Sequence, residues 1–301
     1  MYATQRQFEH QMPVQAAWYN VLDTNIVVES NVAAALDRVE DTYTAFQVPP
    51  GSLQEVKLLR LERSDDGNTY IVTSANGEKR WSNYDDALLD LLDRIVHTIL
   101  TNLFERGIYA IHAGAVVDRG GAWAVVGRSG QGKTTLTLGL LRRGMSLLSD
   151  ELMIVEPNTQ RILPYRRSLH VRPGTVNLIP ELRFLLDRPR YHIGGGSEWA
   201  LTPNDLIRIF PHALAAPAPL RGVLLLEGTP QAYEAPTITP IPSALAALEL
   251  LRSSWAASID FNDALTSVSR LLSQVACARL RVGPLGPTLD AVVAWQEANR
   301  A

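Results

Sequence analysis

The chain has little cysteine, little lysine and no long apolar run, and each shortage excludes something. Its single cysteine, Cys277, rules out an intrachain disulfide and a cysteine-built metal cage. The uncharged stretch from His10 to Leu22 is thirteen residues long and carries polar side chains. A bilayer-spanning helix needs roughly 20 apolar residues, so no span is expected. No basic segment followed by an apolar run opens the sequence, so a secretion signal is not read and a reducing cytoplasm is the expected compartment. Neither sign of charge is in large excess: 28 Lys+Arg against 31 Asp+Glu leave a formal charge of −3. That balance excludes a bulk polyelectrolyte binder of nucleic acid or of an acidic membrane. Of 301 residues, 46% are hydrophobic and 20% charged, which places the chain among folded proteins large enough for two cores. Only Lys57, Lys79 and Lys133 are lysine, against 25 arginines. A lysine kept against that background marks a position that arginine does not serve.

No internal repeat or low-complexity tract is present. Residues Val21 to Glu29 read as a strand, and Asn31 as the cap of a helix with Val32, Leu36, Val39, Tyr43 and Phe46 on one face. Glu55 to Leu61 and Tyr70 to Thr73 read as strands, with Asn76-Gly77 as a hairpin turn. Ser82 and Asp85 have capping-box spacing and open a helix striped with Leu88, Leu92, Ile95, Ile99 and Leu103, which Gly107 stops. Residues 1–106 are thus expected to form a small α+β module and 107–301 an α/β nucleotide-type domain. Within the second part, Ile108–Val117 and Ala122–Val126 read as strands joined by a turn at Asp118-Arg119-Gly120-Gly121. A single strand is expected from Ser146 to Val155, beside the Ala122–Val126 strand. Helices are expected at Ala244–Arg252, Ala264–Ala276 and Thr288–Asn299, with Cys277 packed in an apolar helix.

The informative stretch is Gly127-Arg128-Ser129-Gly130-Gln131-Gly132-Lys133-Thr134, which matches G-x-x-x-x-G-K-[ST] between an expected strand and an expected helix. Glycines let the backbone curl until successive N–H groups face phosphate oxygens, and the helix that follows aims its positive end at the same anion. Gly127, Ser129, Gly130, Gly132, Lys133, Thr134 and Thr135 are the candidate nucleotide-binding residues. Lys133 offers a compact charge to the β/γ oxygens, and Thr134 a hydroxyl to Mg²⁺. An acidic pair, Asp150-Glu151, follows seventeen residues after Lys133. On one strand the two would point to opposite faces, so one would meet the nucleotide and the other a metal, a water or an arginine. If Val117 pairs with Ala122, the register sets His112 opposite Gly127, at the entrance of the loop. No N-K-x-D guanine signature occurs, which speaks against a Ras-like GTPase.

The stretch from Ile111 to Val155 resembles the HPr kinase/phosphorylase family and its wider set of HprK-like serine kinases. The family shows a strand His-(Gly/Ala)-x-x-V, a hairpin, G-x-S-G-x-G-K-[ST], a helix ending in Arg-Gly and an acidic pair, in that order and at those offsets. The resemblance implies a fold akin to the phosphoenolpyruvate carboxykinase core, with the loop over a mixed sheet. It implies ATP and Mg²⁺ as cofactors, Asp150 as the base that accepts a hydroxyl proton, His112 as its positioning partner, and Lys133 and Thr134 as holders of nucleotide and metal. Glu151 is the further metal candidate. The chain departs from the family in its Asp-Glu pair, where Asp-Asp is usual, in lacking the downstream glycine-rich signature, and in its N-terminal module. These departures point away from HPr as substrate and towards a serine on a protein or peptide, as in the HprK-like kinases of lasso-peptide assembly. The resemblance also raises the expectation of a homo-oligomer.

Other candidates have plainer readings beside them. Arg166, Arg167, His170 and Arg172 form a basic cluster, either a phosphate clamp or a solvated surface. Asp187 to Trp199 reads as a mobile loop or a lid, with Arg188, Arg190 and His192 as weak phosphate candidates. His97 and His212 lack a metal-ligand pattern. Two other functions stay open from the residues alone: a nucleotide-sensing module without chemistry, and a kinase of free serine or a metabolite.

Overall fold

The computed structural model describes residues 13–156, 158–193, 196–228, 234–253 and 261–300. The chain is a mixed α/β protein that divides after Ile99 into two compact units. Among the described residues no helix is long and apolar enough to cross a membrane.

The first unit holds a five-stranded sheet in sequential order: β1 (Gln15–Val21), β2 (Thr24–Ser30), β3 (Lys57–Arg63), β4 (Tyr70–Ser74) and β5 (Gly77–Trp81). Strands β2 and β3 run parallel, so a crossover is required, and α1 (Ala33–Tyr43) provides it. Its buried face is Leu36, Val39 and Tyr43, with Ala35, Arg38 and Thr42. The expected strand from Val21 is instead the second arm of a hairpin. Leu22 and Asp23 both take positive φ (52° and 62°), the backbone of a tight two-residue turn, without the Asn-Gly that usually announces one. Nor does Asn31 cap α1; its side chain is bonded to the backbone of Arg63 instead. Helix α2 (Tyr84–Glu105) starts one residue later than the capping-box reading, with the Asn83 carboxamide accepting from the Asp86 N–H at 2.9 Å.

The second unit is built on an eight-stranded mixed sheet. Its strands are β6 (Tyr109–Asp118), β7 (Gly121–Val126), β8 (Ser146–Ser149), β9 (Leu152–Val155), β10 (Arg161–Leu163), and, after a three-stranded sheet of β11 (Leu169–Val171), β12 (Tyr191–Ile193) and β13 (Gly196–Leu201), the strands β14 (Ala218–Glu227), β15 (Thr237–Pro240) and β16 (Ala276–Arg281). The main order is β10-β9-β6-β7-β14-β16-β15, with β8 also on β6. Helices α3 (Lys133–Arg142), α4 (Pro173–Leu178), α5 (Pro203–Ile209), α6 (Ser243–Arg252), α7 (Phe261–Leu271) and α8 (Leu285–Ala298) complete it. One apolar cluster joins Trp123 and Val125 to α3 and α8. The other joins Ala113, Ala124 and Val223 to α6 and α7.

Several sequence expectations change here. The single strand from Ser146 to Val155 is two short strands, broken by a bend at Asp150-Glu151. Both strands pair with β6, not with β7. The hairpin partner β7 already fills one side of β6, so the chain returning from α3 takes the other side, and β14 runs parallel beside β7. The segment read as a loop or lid, Asp187 to Trp199, contains β12 and most of β13, which pair antiparallel with each other, and β13 also pairs antiparallel with β11; Gly194 and Gly195 lie outside the described residues. Cys277 lies in β16 rather than in a helix, buried between β14 and β15, and burial raises its thiol pKa to about 11.

Gly222 shows how tightly the sheet is packed. A Cβ there would sit 2.3 Å from the Trp123 ring and 2.9 Å from Trp295, and Trp123 is fully buried with its ring edge-on to Trp295. The fully buried Trp123 indole has no open space to swing into, so Gly222→Ala is expected to destabilise the protein by about 2 kcal/mol through overpacking. Urea denaturation should show a lower midpoint with the slope unchanged.

Candidate active site at the glycine-rich loop

Strand β7 runs into residues 127–132 at the carboxyl end of the parallel pair β7–β14, where open α/β sheets leave a crevice. Gly130 and Gly132 take positive φ (83° and 93°), a backbone that side chains resist, and the loop opens directly into α3. Gln131 pins the curl from inside: its side-chain oxygen accepts from the Arg128 N–H at 2.5 Å, and its own N–H donates to the Arg128 carbonyl at 3.3 Å. Among the described residues, the amides of Gly130, Gly132, Lys133 and Thr134 donate to no protein acceptor. These are the exposed donors of a helix start, facing a cavity of about 560 Å³ that the same residues line.

Lys133 is buried and donates to the loop carbonyls of Gly127 at 2.6 Å and Arg128 at 3.3 Å. Burial lowers its pKa, while Asp150 and Glu151 pull it back up. The next residue, Thr134, donates its hydroxyl to Asp150 Oδ2 at 2.8 Å. Asp150 is held at the bend between β8 and β9, and its other oxygen, Oδ1, is buried with no hydrogen-bond partner among the described residues. Desolvation pushes its pKa up to about 6, opposed by the Thr134 hydrogen bond and reinforced by the Glu151 charge.

Glu151 faces Arg167 in an ion pair. Of the partners open to the second acid, an arginine is the one it meets. Ala113, paired with Val126, ends the β6–β7 ladder; His112 is the next residue of β6, pairs with Leu152 of β9, and stands one register step beyond, on the side of Gly127. Its Nδ1 is buried without a partner among the described residues. Burial, then the Lys133 charge, lower its pKa, so the imidazole is neutral at pH 7. The cavity therefore brings together His112, Ser129, Gly130, Gly132, Lys133, Thr134, Thr135, Asp150 and Glu151, with Gly127 just behind them as the acceptor of the lysine.

Of the basic cluster, three members reach this cavity. Arg172 donates to Ser129 Oγ at 3.2 Å, and Arg167 lies 3.2 Å from His170 Nδ1, which in turn lies 3.1 Å from Glu198. Arg166 turns aside to the Ala215 carbonyl. Arg188 pairs with Asp205 and Arg190 stacks over Trp199, so neither is on the cavity wall; His192 is exposed on β12, and His212 meets the Leu141 carbonyl. Sequence reasoning missed Glu198, Thr175 and Leu178, which also line the cavity. No local motif marks them: Glu198 arrives through the β11–β13 pairing, and Thr175 through a 2.7 Å hydroxyl contact with Thr135. No group of three or more His, Cys, Asp or Glu suited to a metal occurs among the described residues.

No protein-family model matches the chain, and no curated protein matches it. Solved structures do match. One of them is the Hpr(Ser) kinase/phosphatase from Coxiella burnetii, 14% identical, with the match covering 63% of this chain and 98% of that one at a TM-score of 0.27. A likeness at that score decides nothing about this chain's fold or chemistry.

Proposed function

We propose that the protein is an ATP- and Mg²⁺-dependent kinase that phosphorylates a hydroxyl, a serine on a protein or peptide, by direct in-line transfer. The observation that carries this reading is the Thr134–Asp150 hydrogen bond at the mouth of a loop four of whose amides have no protein acceptor among the described residues. The HprK-like pattern of residues 111–155 agrees with it.

The residues fit the ligands. Four uncommitted amides and a buried lysine suit a triphosphate, and the lysine needs only to exchange loop carbonyls for phosphate oxygens. The Thr134 hydroxyl suits a hydrated Mg²⁺ beside those oxygens, and the Asp150 carboxylate next to it, whose Oδ1 has no partner among the described residues, is left to take the acceptor's proton. Magnesium, when bound, neutralises charge on the β- and γ-phosphates.

In the reaction, the acceptor O–H gives its proton to the Asp150 carboxylate, a bond forms from that oxygen to the γ-phosphorus, and the bond from γ-phosphorus to the β–γ bridging oxygen breaks, releasing ADP. Burial gives Asp150 a higher proton affinity than an ordinary carboxylate, while leaving it ionised above pH 7. Neutral His112 lines the same cavity without adding charge. Arg167 holds Glu151 back from the acceptor, so that one acid, not two, faces the chemistry. Lys133 meets the charge that spreads over the transferred group.

Incubation with γ-labelled ATP, Mg²⁺ and either serine-containing peptides or free serine tests the reading. Label should appear on peptide as an acid-stable, alkali-labile phosphoester. Label on free serine alone would move the substrate to a metabolite, and nucleotide binding with no transfer to any hydroxyl would leave a sensor rather than a kinase.

A further inference from the structure

Resting on the nucleotide reading above, we infer that the base of the nucleotide lies on α4, with Leu178 as its platform and Gly174 as the gap that admits it. The cavity lining holds two chemically different groups of residues. One is crowded with charge: Lys133, Asp150, Glu151 and Arg167. The other is the short wall made by Gly174, Thr175 and Leu178 of α4.

The loop gives a bound nucleotide its direction. In a loop of this pattern the lysine reaches the β/γ oxygens, and the amides at the helix start hold the α/β oxygens. Thr134 faces Asp150, which marks the γ end. Thr135, roughly 100° further round the helix, faces the other way and shares a 2.7 Å hydroxyl contact with Thr175. The α-phosphate end of the loop therefore abuts α4, and whatever is attached to that phosphate continues along it.

What it meets there includes one large apolar side chain left uncovered. Leu178 is 53% exposed, whereas Tyr165 and Leu169, the other large apolar residues lining the cavity, are 1% exposed each. An exposed leucine inside a polar cavity has a face left to cover, and the flat, weakly polar face of a purine or pyrimidine covers it. Gly174 keeps the space clear: a Cβ built on it meets no atom within 4 Å. The same helix is tied to the loop through Thr135–Thr175, so phosphate site and base site are held by one hydrogen bond.

The test compares ATP with inorganic tripolyphosphate, each with Mg²⁺, by calorimetry on the full chain. Leu178→Ser, on an exposed side chain, and Gly174→Phe, which fills the gap, should each weaken ATP binding about tenfold and leave tripolyphosphate binding within about twofold of wild type. Circular dichroism should show both variants folded. ATP affinity unchanged in Leu178→Ser, or an equal loss for both ligands, would overturn the platform while leaving the nucleotide reading intact. A wild-type protein that binds neither ligand would overturn the nucleotide reading itself, and the platform with it.

Discussion

Replacing Asp150 with asparagine is expected to leave ATP affinity within about twofold of wild type and to cut phosphoryl transfer at least about a hundredfold, the usual scale for losing a positioned general base. Asparagine keeps the shape and can still accept from the Thr134 hydroxyl, so the pocket survives, but it cannot take the acceptor's proton. The same change should stabilise the metal-free protein. Desolvation raises the folded-state pKa of Asp150 from the ordinary 3.8 to about 6. A group with a raised folded pKa favours the fold while it is protonated and loses that contribution as pH climbs from about 4 through 6. Asp150→Asn removes the penalty, so its advantage over wild type should be near zero at pH 4 and about 2–3 kcal/mol above pH 7. Urea denaturation across that range, alongside single-turnover transfer assays, reads both effects. A variant that is less stable at neutral pH, or that turns over normally, contradicts the role given to this carboxylate. A gain in stability with a loss of transfer is difficult to obtain from mere damage.

The second large effect falls on Lys133. Lys133→Ala should weaken ATP binding about 30- to 100-fold, because it removes a charge-assisted hydrogen bond to phosphate from a half-enclosed site. Tripolyphosphate should suffer equally, which separates this residue from the platform on α4. Lys133→Arg is not expected to restore binding. The side chain is buried and reaches the Gly127 carbonyl at 2.6 Å, a space shaped for an ammonium on a flexible stem rather than a planar fork. In a chain that otherwise uses arginine almost everywhere, failure of arginine at this position would explain why lysine stands there. Titration calorimetry with the two variants measures it directly, and full binding by Lys133→Arg would argue against a phosphate contact.

Much of this site was legible in one contiguous stretch. The loop, the start of α3 at Lys133 and the register that brings His112 to Gly127 all depend on short-range geometry: a tight hairpin, glycines with positive φ, and one helix between loop and acids. Spacing also brought Asp150 to the loop, although by a different path from the one expected, since its strand segment lies on β6 rather than β7. The rest of the cavity is not local. Arg167, His170 and Glu198 meet only because β11 pairs with β13 across some thirty residues, and neither strand is long enough to stand out by alternation. Strand β16 was hidden in the same way: Ala276–Arg281 follows directly on a helical pattern, and only its position between β14 and β15 makes it a strand. The β1 hairpin was missed because Leu22-Asp23 lacks turn chemistry and adopts a left-handed backbone under the pull of the paired strands.

The most direct measurement is a crystal structure of the protein with Mg²⁺ and a non-hydrolysable ATP analogue. The α- and β-phosphates should lie against the amides of residues 130–134, with Lys133 Nζ moved from the Gly127 carbonyl to a β- or γ-phosphate oxygen and Asp150 turned towards the γ end. A loop that stays empty with Lys133 still on its own carbonyls, or a nucleotide bound elsewhere on the chain, would contradict the kinase reading at its root.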